Sequence, residues 1–316
     1  MMNVKIICTA VAAVAAVGIW WWMRGDPDGG YVFRARFNAI QERICTVDGI
    51  EWHYGVADGK AVLVKAVRCG SQATEFALPS KLDGFPVTVV VGSVFRKDDP
   101  VRSLTIPEGV TDIALHAFSG VGVETLALPS SVTNLSVFNV VSCKKFIVSP
   151  DNPKYCSMNG MLCSRDGKVL LHGIGGDVRV PDGVERIDDG AFWHRSLVSV
   201  KLPDSVREIG CMAFLECGEL RKVNLSPKVR NIAAWTFYGC TNLESVVIPS
   251  CVTNIDAYAF EGCKRLKEVA IPEGVVEIGH HAFANCESLE SVTIPPSVKV
   301  IGDKAFSSCK NLSLCP

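Results

Sequence analysis

LESVVIPSCVTNIDAYAFEGCKR, residues 243–265, is one complete unit of a pattern that recurs every 22 or 23 residues from Leu197 to the end of the chain. Several columns of residue types recur together. Phe214, Phe237, Phe260, Phe283 and Phe306 form one, Cys217, Cys240, Cys263, Cys286 and Cys309 a second, and Leu220, Leu243, Leu266, Leu289 and Leu312 a third. Val206, Val229, Val252, Val275 and Val298 make a fourth, and Ile209, Ile232, Ile255, Ile278 and Ile301 a fifth. A proline follows an aliphatic residue at Pro203, Pro249, Pro272 and Pro295. A fixed period of this length marks a solenoid. No single unit buries enough apolar surface to fold alone, so stability comes from stacking on neighbours.

Within the unit, Leu-x-x-Val-x-Ile and Val-x-x-Ile alternate with period 2 and are dominated by β-branched residues, which predicts two short strands. Proline removes a ladder donor and ends the first of them. The Ala-Phe-x-x-Cys segment is too short for an independent α-helix and reads as a 3₁₀ or single helical turn. The fold class is therefore a β-rich solenoid of about nine repeats, its successive strands paired in parallel.

Weaker copies lie upstream at 101–118, 123–138 and from Ala77, where two extra residues surround Gly84. Between 146 and 176 the pattern stops, and this stretch reads as an inserted hairpin of two strands around Arg165-Asp166-Gly167. The organisation expected is an export segment over 1–24, a linker and N-terminal β cap over 25–75, and the solenoid over 76–316. Asp48-Gly49 and Asp58-Gly59 are the turn signals of the cap. Leu312 opens a further repeat that stops, leaving an open strand edge suited to homo-oligomer contacts.

Ile271 to Cys286, IPEGVVEIGHHAFANC, together with LDGFPVT at 82–88 and NGML at 159–162, resembles the BspA-like leucine-rich repeat. The resemblance runs from about Cys45 to the C-terminus. It implies a right-handed, curved leucine-rich repeat array with protein-binding or adhesive roles, often on bacterial or protist surfaces. Ser226-Pro227 shifts the proline by one, and Ala233 and Asp256 replace the usual glycine. The third repeat lacks the Ala-Phe pair. These departures bear on local curvature.

Residues 6–23, IICTAVAAVAAVGIWWWM, form an 18-residue apolar run between Lys5 and Arg24, long enough to cross a bilayer. The Trp20–Trp22 cluster suits an interfacial aromatic belt and favours an uncleaved anchor. Small residues at Ala15 and Gly18 leave a cleaved signal peptide as the alternative. Either way the chain is exported, to the cell surface or beyond. A net charge of -1 supplies no basic field for phosphates, which sets nucleic acid aside.

Fourteen cysteines in an exported chain ordinarily suggest disulfides. Five share one inward column, where each serves as a small hydrophobe and a free thiol is expected. Cys45 with Cys69, and Cys156 with Cys163, are the better candidates for bridges, since each pair can face across a hairpin. The absence of any C-x-x-C, HExxH or GxSxG argues against a metal or catalytic site, and no cofactor is implied. His280 and His281 are adjacent, so their rings are expected to point apart, and Asp188-Asp189 is expected to be solvent-facing. Gly173-Ile-Gly-Gly176 lacks the Lys-Ser/Thr of a phosphate loop.

What the repeat leaves free is the pair of positions between Leu and Val. Arg221, Lys222, Glu244, Lys267, Glu268 and Glu290 stack there into an exposed stripe on the expected concave face, basic near 221 and acidic by 290. A solvated face accounts for them structurally, and a protein ligand of mixed charge accounts for them functionally. The sequence thus points to a non-enzymatic binding module, with a self-assembling structural protein as the alternative.

Overall fold

The computed structural model describes residues 41–68, 73–91, 94–96, 99, 101–114, 117–118, 121–135 and 143–312. The chain forms a β-solenoid of about ten turns, with no helix among the described residues. Each C-terminal coil holds two short strands, for example Lys222–Asn224 with Asn231–Ile232, and Glu268–Ala270 with Glu277–Ile278. Equivalent strands of successive coils pair in parallel and in register. Ser199, Lys222 and Ser245 align in one ladder, and Asn231, Asn254, Glu277 and Val300 in the other. Parallel strands need a long crossover. Here the rest of the coil supplies it.

The Ala-Phe segment departs from the expected helical turn. It is a chain of overlapping turns with left-handed residues two before and two after each phenylalanine. Met212, Trp235, Tyr258, His281 and Lys304 hold φ of 58, 55, 61, 54 and 56° in the first of these columns. Glu216, Gly239, Gly262, Asn285 and Ser308 occupy the second. The reason lies in where the N–H groups go. Trp235, Phe237 and Gly239 donate to Ala257, Ala259 and Glu261 of the next coil at 2.8–3.1 Å, while Tyr238 and Cys240 donate three residues back within their own turn. A 3₁₀ turn would direct every N–H back along its own segment. It would leave the seam between coils without hydrogen bonds.

Inside this ribbon the phenylalanines form a continuous stack. Phe192, Phe214, Phe237, Phe260, Phe283 and Phe306 lie parallel to within 11°, with ring centroids 5.1–5.4 Å apart. That separation follows from the coil spacing of about 4.8 Å. The glycine after the second strand is needed where backbones close up. A Cβ on Gly279 would stand 2.5 Å from Ala257 N, and one on Gly302 would stand 2.4 Å from His280 N.

At the N-terminal end, β1 (Arg43–Val47), β2 (Ile50–Ala57) and β3 (Lys60–Arg68) form an antiparallel meander. The two Asp-Gly turns between them have φ near 51 and 72°. β3 then pairs in parallel with Phe85–Val90 and passes into the array. The interruption at 146–176 holds one turn more than expected. Tyr155–Met158 pairs with Met161–Ser164 across Asn159-Gly160, both left-handed, before the chain reverses again at Arg165-Asp166-Gly167. Val169–His172 already belongs to the solenoid, since it pairs in parallel with Arg186–Ile187.

The described residues form two hydrophobic cores, one built from residues between 50 and 162, the other from residues between 161 and 305. They meet at Met161–Ser164, whose period-2 alternation sends Met161 and Cys163 to one and Leu162 to the other. Arg195 sits at this junction in the position the cysteine column takes elsewhere. It is 3% exposed, its Nη1 donates to Cys143 O at 3.3 Å, and its Nη2 meets Nε2 of His172. Burial holds the guanidinium down to about 10. Gly173 is fixed by the same packing, because its Cβ would stand 2.0 Å from the Phe192 ring.

Two substitutions test this frame. Phe237→Ala is expected to destabilise by about 3–5 kcal/mol, and Gly279→Ala by about 1–3 kcal/mol through displaced backbone. Denaturant midpoints measure both, and an unchanged midpoint for either would contradict the packing described.

Candidate functional site

The cysteines are the most reactive residue type in the core, and their chemistry decides whether the column is a site. Each column thiol donates to the phenylalanine carbonyl of the coil before it. Cys217 donates to Phe192 O at 2.9 Å, Cys240 to Phe214 O at 3.2 Å, Cys263 to Phe237 O at 3.2 Å and Cys286 to Phe260 O at 3.3 Å. Burial pushes Cys217 up to about 12 and raises Cys240, Cys263 and Cys286 well above the ordinary thiol range. The thiolate is the nucleophile and metal ligand. These thiols are packing residues with a hydrogen bond.

Cys156 and Cys163 do face each other across the hairpin, but both are free. The Cys156 thiol donates to Ser164 O at 3.1 Å, and Cys163 is buried and pushed up to about 12. This candidate bridge is therefore not formed. Cys69, the proposed partner of Cys45, lies outside the described residues, as does the apolar run 6–23. No helix among the described residues is long and apolar enough to cross a membrane, and none of their His, Cys, Asp and Glu side chains form a metal-binding group.

The six stripe residues are all exposed. Val198, Arg221, Glu244, Lys267 and Glu290 form one column, each N–H from Arg221 onward donating to the carbonyl of the residue before it in the column at 2.8–3.5 Å. Lys222 and Glu268 stand in the adjacent column, in register with Ser199, Ser245 and Ser291. Val223, Val246 and Val269, between the outward residues, are buried. Charge therefore alternates by coil at about 4.8 Å intervals along the first column. Three cations and three carboxylates cancel, with the cations concentrated at the Arg221 end. Val247, 79% exposed, lies beside them.

The turn side of the coils carries a second group, at positions where the repeat columns vary. Trp235 stacks on Tyr258 at 5.4 Å and 11°, and Tyr258 on His281 at 5.3 Å and 28°. His280 and His281 do not point apart: their centroids are 4.2 Å from one another, because left-handed φ at His281 folds its ring back. Tyr238 and Glu261 occupy the position after phenylalanine in successive coils. The Asp188-Asp189 expectation also fails. Their side chains are 13% and 20% exposed, Arg186 lies 3.0 and 4.0 Å from them, and Asp189 Oδ1 accepts from Cys211 N.

Parallel coils of 22 or 23 residues, each with an inward leucine, phenylalanine and thiol, define a leucine-rich repeat protein. The family model for the BspA type leucine rich repeat region matches in six copies over residues 86–156 and 185–313. These spans exceed half the chain, and the chain belongs to that family. Among solved structures, a leucine rich cell surface protein from Faecalibacterium prausnitzii A2-165 is 21% identical with a TM-score of 0.53, over 80% of this chain and 94% of that one. A leucine-rich repeat protein from Eubacterium ventriosum ATCC 27560 is 18% identical with a TM-score of 0.54, over 87% and 96%. The pneumococcal vaccine antigen PcpA is 17% identical with a TM-score of 0.43, over 86% and 88%. At these identities the likeness is one of fold. No curated protein matches the chain.

Alkylation of the native protein at pH 8, read by mass spectrometry, is expected to label half-exposed Cys211 and Cys251 and to spare Cys217, Cys240, Cys263 and Cys286 until denaturant is added. Labelling of Cys240 or Cys263 at the rate of Cys251 would contradict a packed column.

Proposed function

We propose that the chain is an exported, non-enzymatic protein-binding module that engages its partner through the exposed sheet face, in adhesion or in host and matrix contacts. The observation that carries this reading is the charge order of Arg221, Glu244, Lys267 and Glu290 on a rigid ladder of backbone hydrogen bonds. A regular alternation on fixed spacing favours a partner with matching alternation, and disfavours partners that carry one sign of charge. Family membership supports a protein-interaction role, and the cell surface protein among the solved neighbours supports a surface location. The run 6–23 supports export, with membrane anchoring or secretion as its two outcomes.

The experiment is binding of the array to a panel of purified surface and extracellular matrix proteins, repeated with Glu244→Lys and Lys267→Glu combined. The double variant keeps net charge and turns the alternating column into a pair of cations followed by a pair of carboxylates. It is expected to weaken binding about tenfold or more, while stability moves by no more than about 0.5 kcal/mol. Undiminished binding by the double variant would sink the sheet-face site.

One observation favours a second reading, stacking of chains through the last described coil. Val300 and Ile301 are 52% and 49% exposed, and Ile294 is 36% exposed, whereas Ile278 and Ile271 in the coil before are 0% and 4%. Light scattering over a concentration series is expected to show association that Ile301→Lys abolishes. A strictly monomeric chain at high concentration rules this reading out.

A further inference from the structure

The ring ladder on the turn side is not required by the fold. Its column must adopt left-handed φ, which glycine adopts without cost and a bulky side chain rarely adopts. Gly190 fills the position in an earlier coil, and Met212 and Lys304 fill it on either side of the ladder. An aromatic ring is therefore not needed there for packing. Yet Trp235, Tyr258 and His281 take it in three successive coils, stacked and partly exposed, with Tyr238 and Glu261 beside them.

Glu261 is the second observation. One of its oxygens accepts from Asn285 Nδ2 at 3.1 Å. Oε2 is buried without a hydrogen bond, and so is Nδ1 of His281, 3.8 Å away. Burial raises the Glu261 carboxyl above its usual range, and burial, His280 and Lys304 together depress His281. A carboxyl pushed up by burial thus faces an imidazole pushed towards its neutral form. The negative field of Glu261, with that of Glu216, reaches Tyr238, and burial and Glu261 hold Tyr258 up as well. The five side chains include a carboxyl and no permanent cation of their own, and Lys304 is the cation whose field reaches His281.

We propose that Trp235, Tyr238, Tyr258, Glu261 and His281 form a recognition site for an arginine side chain presented by a protein partner. A guanidinium carries five N–H donors in a planar fork and no acceptor. It serves Glu261 Oε2 and, with the imidazole proton on Nε2, His281 Nδ1 together. The two side chains are 15% and 21% exposed while the two atoms themselves are buried, so the assignment requires their side chains to turn toward the ligand. A sugar ring is the poorer fit. Pyranose stacking needs an open aromatic face, and Tyr258 at the centre of the ladder stacks on both Trp235 and His281. This site does not rest on the sheet-face reading, since it lies on the turn segments of the same coils.

Calorimetric titration with a tetra-arginine peptide at low ionic strength tests the assignment on the unmodified protein, Glu261→Gln, Trp235→Gly and the exposed control Glu273→Gln. Glycine suits the φ of 55° at position 235, and glutamine preserves the shape of Glu261. Saturable binding is expected for the unmodified chain and the control, and about tenfold weaker binding for Glu261→Gln and Trp235→Gly, as loss of a charge-assisted hydrogen bond implies. No saturable binding, equal affinity for tetralysine, full binding by Glu261→Gln, or binding of maltohexaose in place of the peptide would each overturn the proposal.

Discussion

The structure depends on one spacing. Strands of neighbouring coils stand about 4.8 Å apart because backbone N–H and C=O groups set that distance, and every other feature of the C-terminal half is cut to it. The phenylalanine rings stack at 5.1–5.4 Å because the coils place them there. The seam is bonded at the turns as well as at the strands, so the turn side of a coil shares in holding its neighbour. This is why the column two residues before phenylalanine accepts tryptophan, tyrosine, histidine or lysine despite its left-handed φ: the hydrogen bonds fix the backbone, and the side chain adapts.

The cysteine column shows the same logic in its side chains. A position packed against a phenylalanine ring and a carbonyl oxygen calls for a small apolar group with one donor, which a thiol provides. Where the column meets the interruption, Arg195 replaces the thiol and still ends on a backbone carbonyl, that of Cys143, 52 residues away. The role of the position persists while its reach changes. Surface position 251 follows suit: Cys251 donates to Val229 O at 3.0 Å, as Ser131 does to Val110 O and Ser205 to Val184 O.

The solenoid was legible because its columns are set by burial, which acts on residue type. Val223, Phe237 and Leu243 announce themselves by what they exclude. The six stripe residues were legible as exposed for the same reason, by lying between Leu and Val. What the sequence hid depends on backbone conformation. Nothing in Tyr258 or His281 as residue types signals positive φ, so the helical turn was expected and the contact between His280 and His281 was not. The turn at Asn159-Gly160 carried a signal, the Asn-Gly pair, that was outweighed by Arg165-Asp166-Gly167 six residues on. Glu261 was illegible because its character comes from what surrounds it in three coils.

The strand Met161–Ser164 divides as well as joins. By giving alternate side chains to the two cores, it acts as a bulkhead in an array that would otherwise transmit any local opening from coil to coil. Fraying that starts at either end meets a wall whose two faces answer to different cores. The molecule behaves as two compartments in series, and wear at the outermost coils of one need not reach the other.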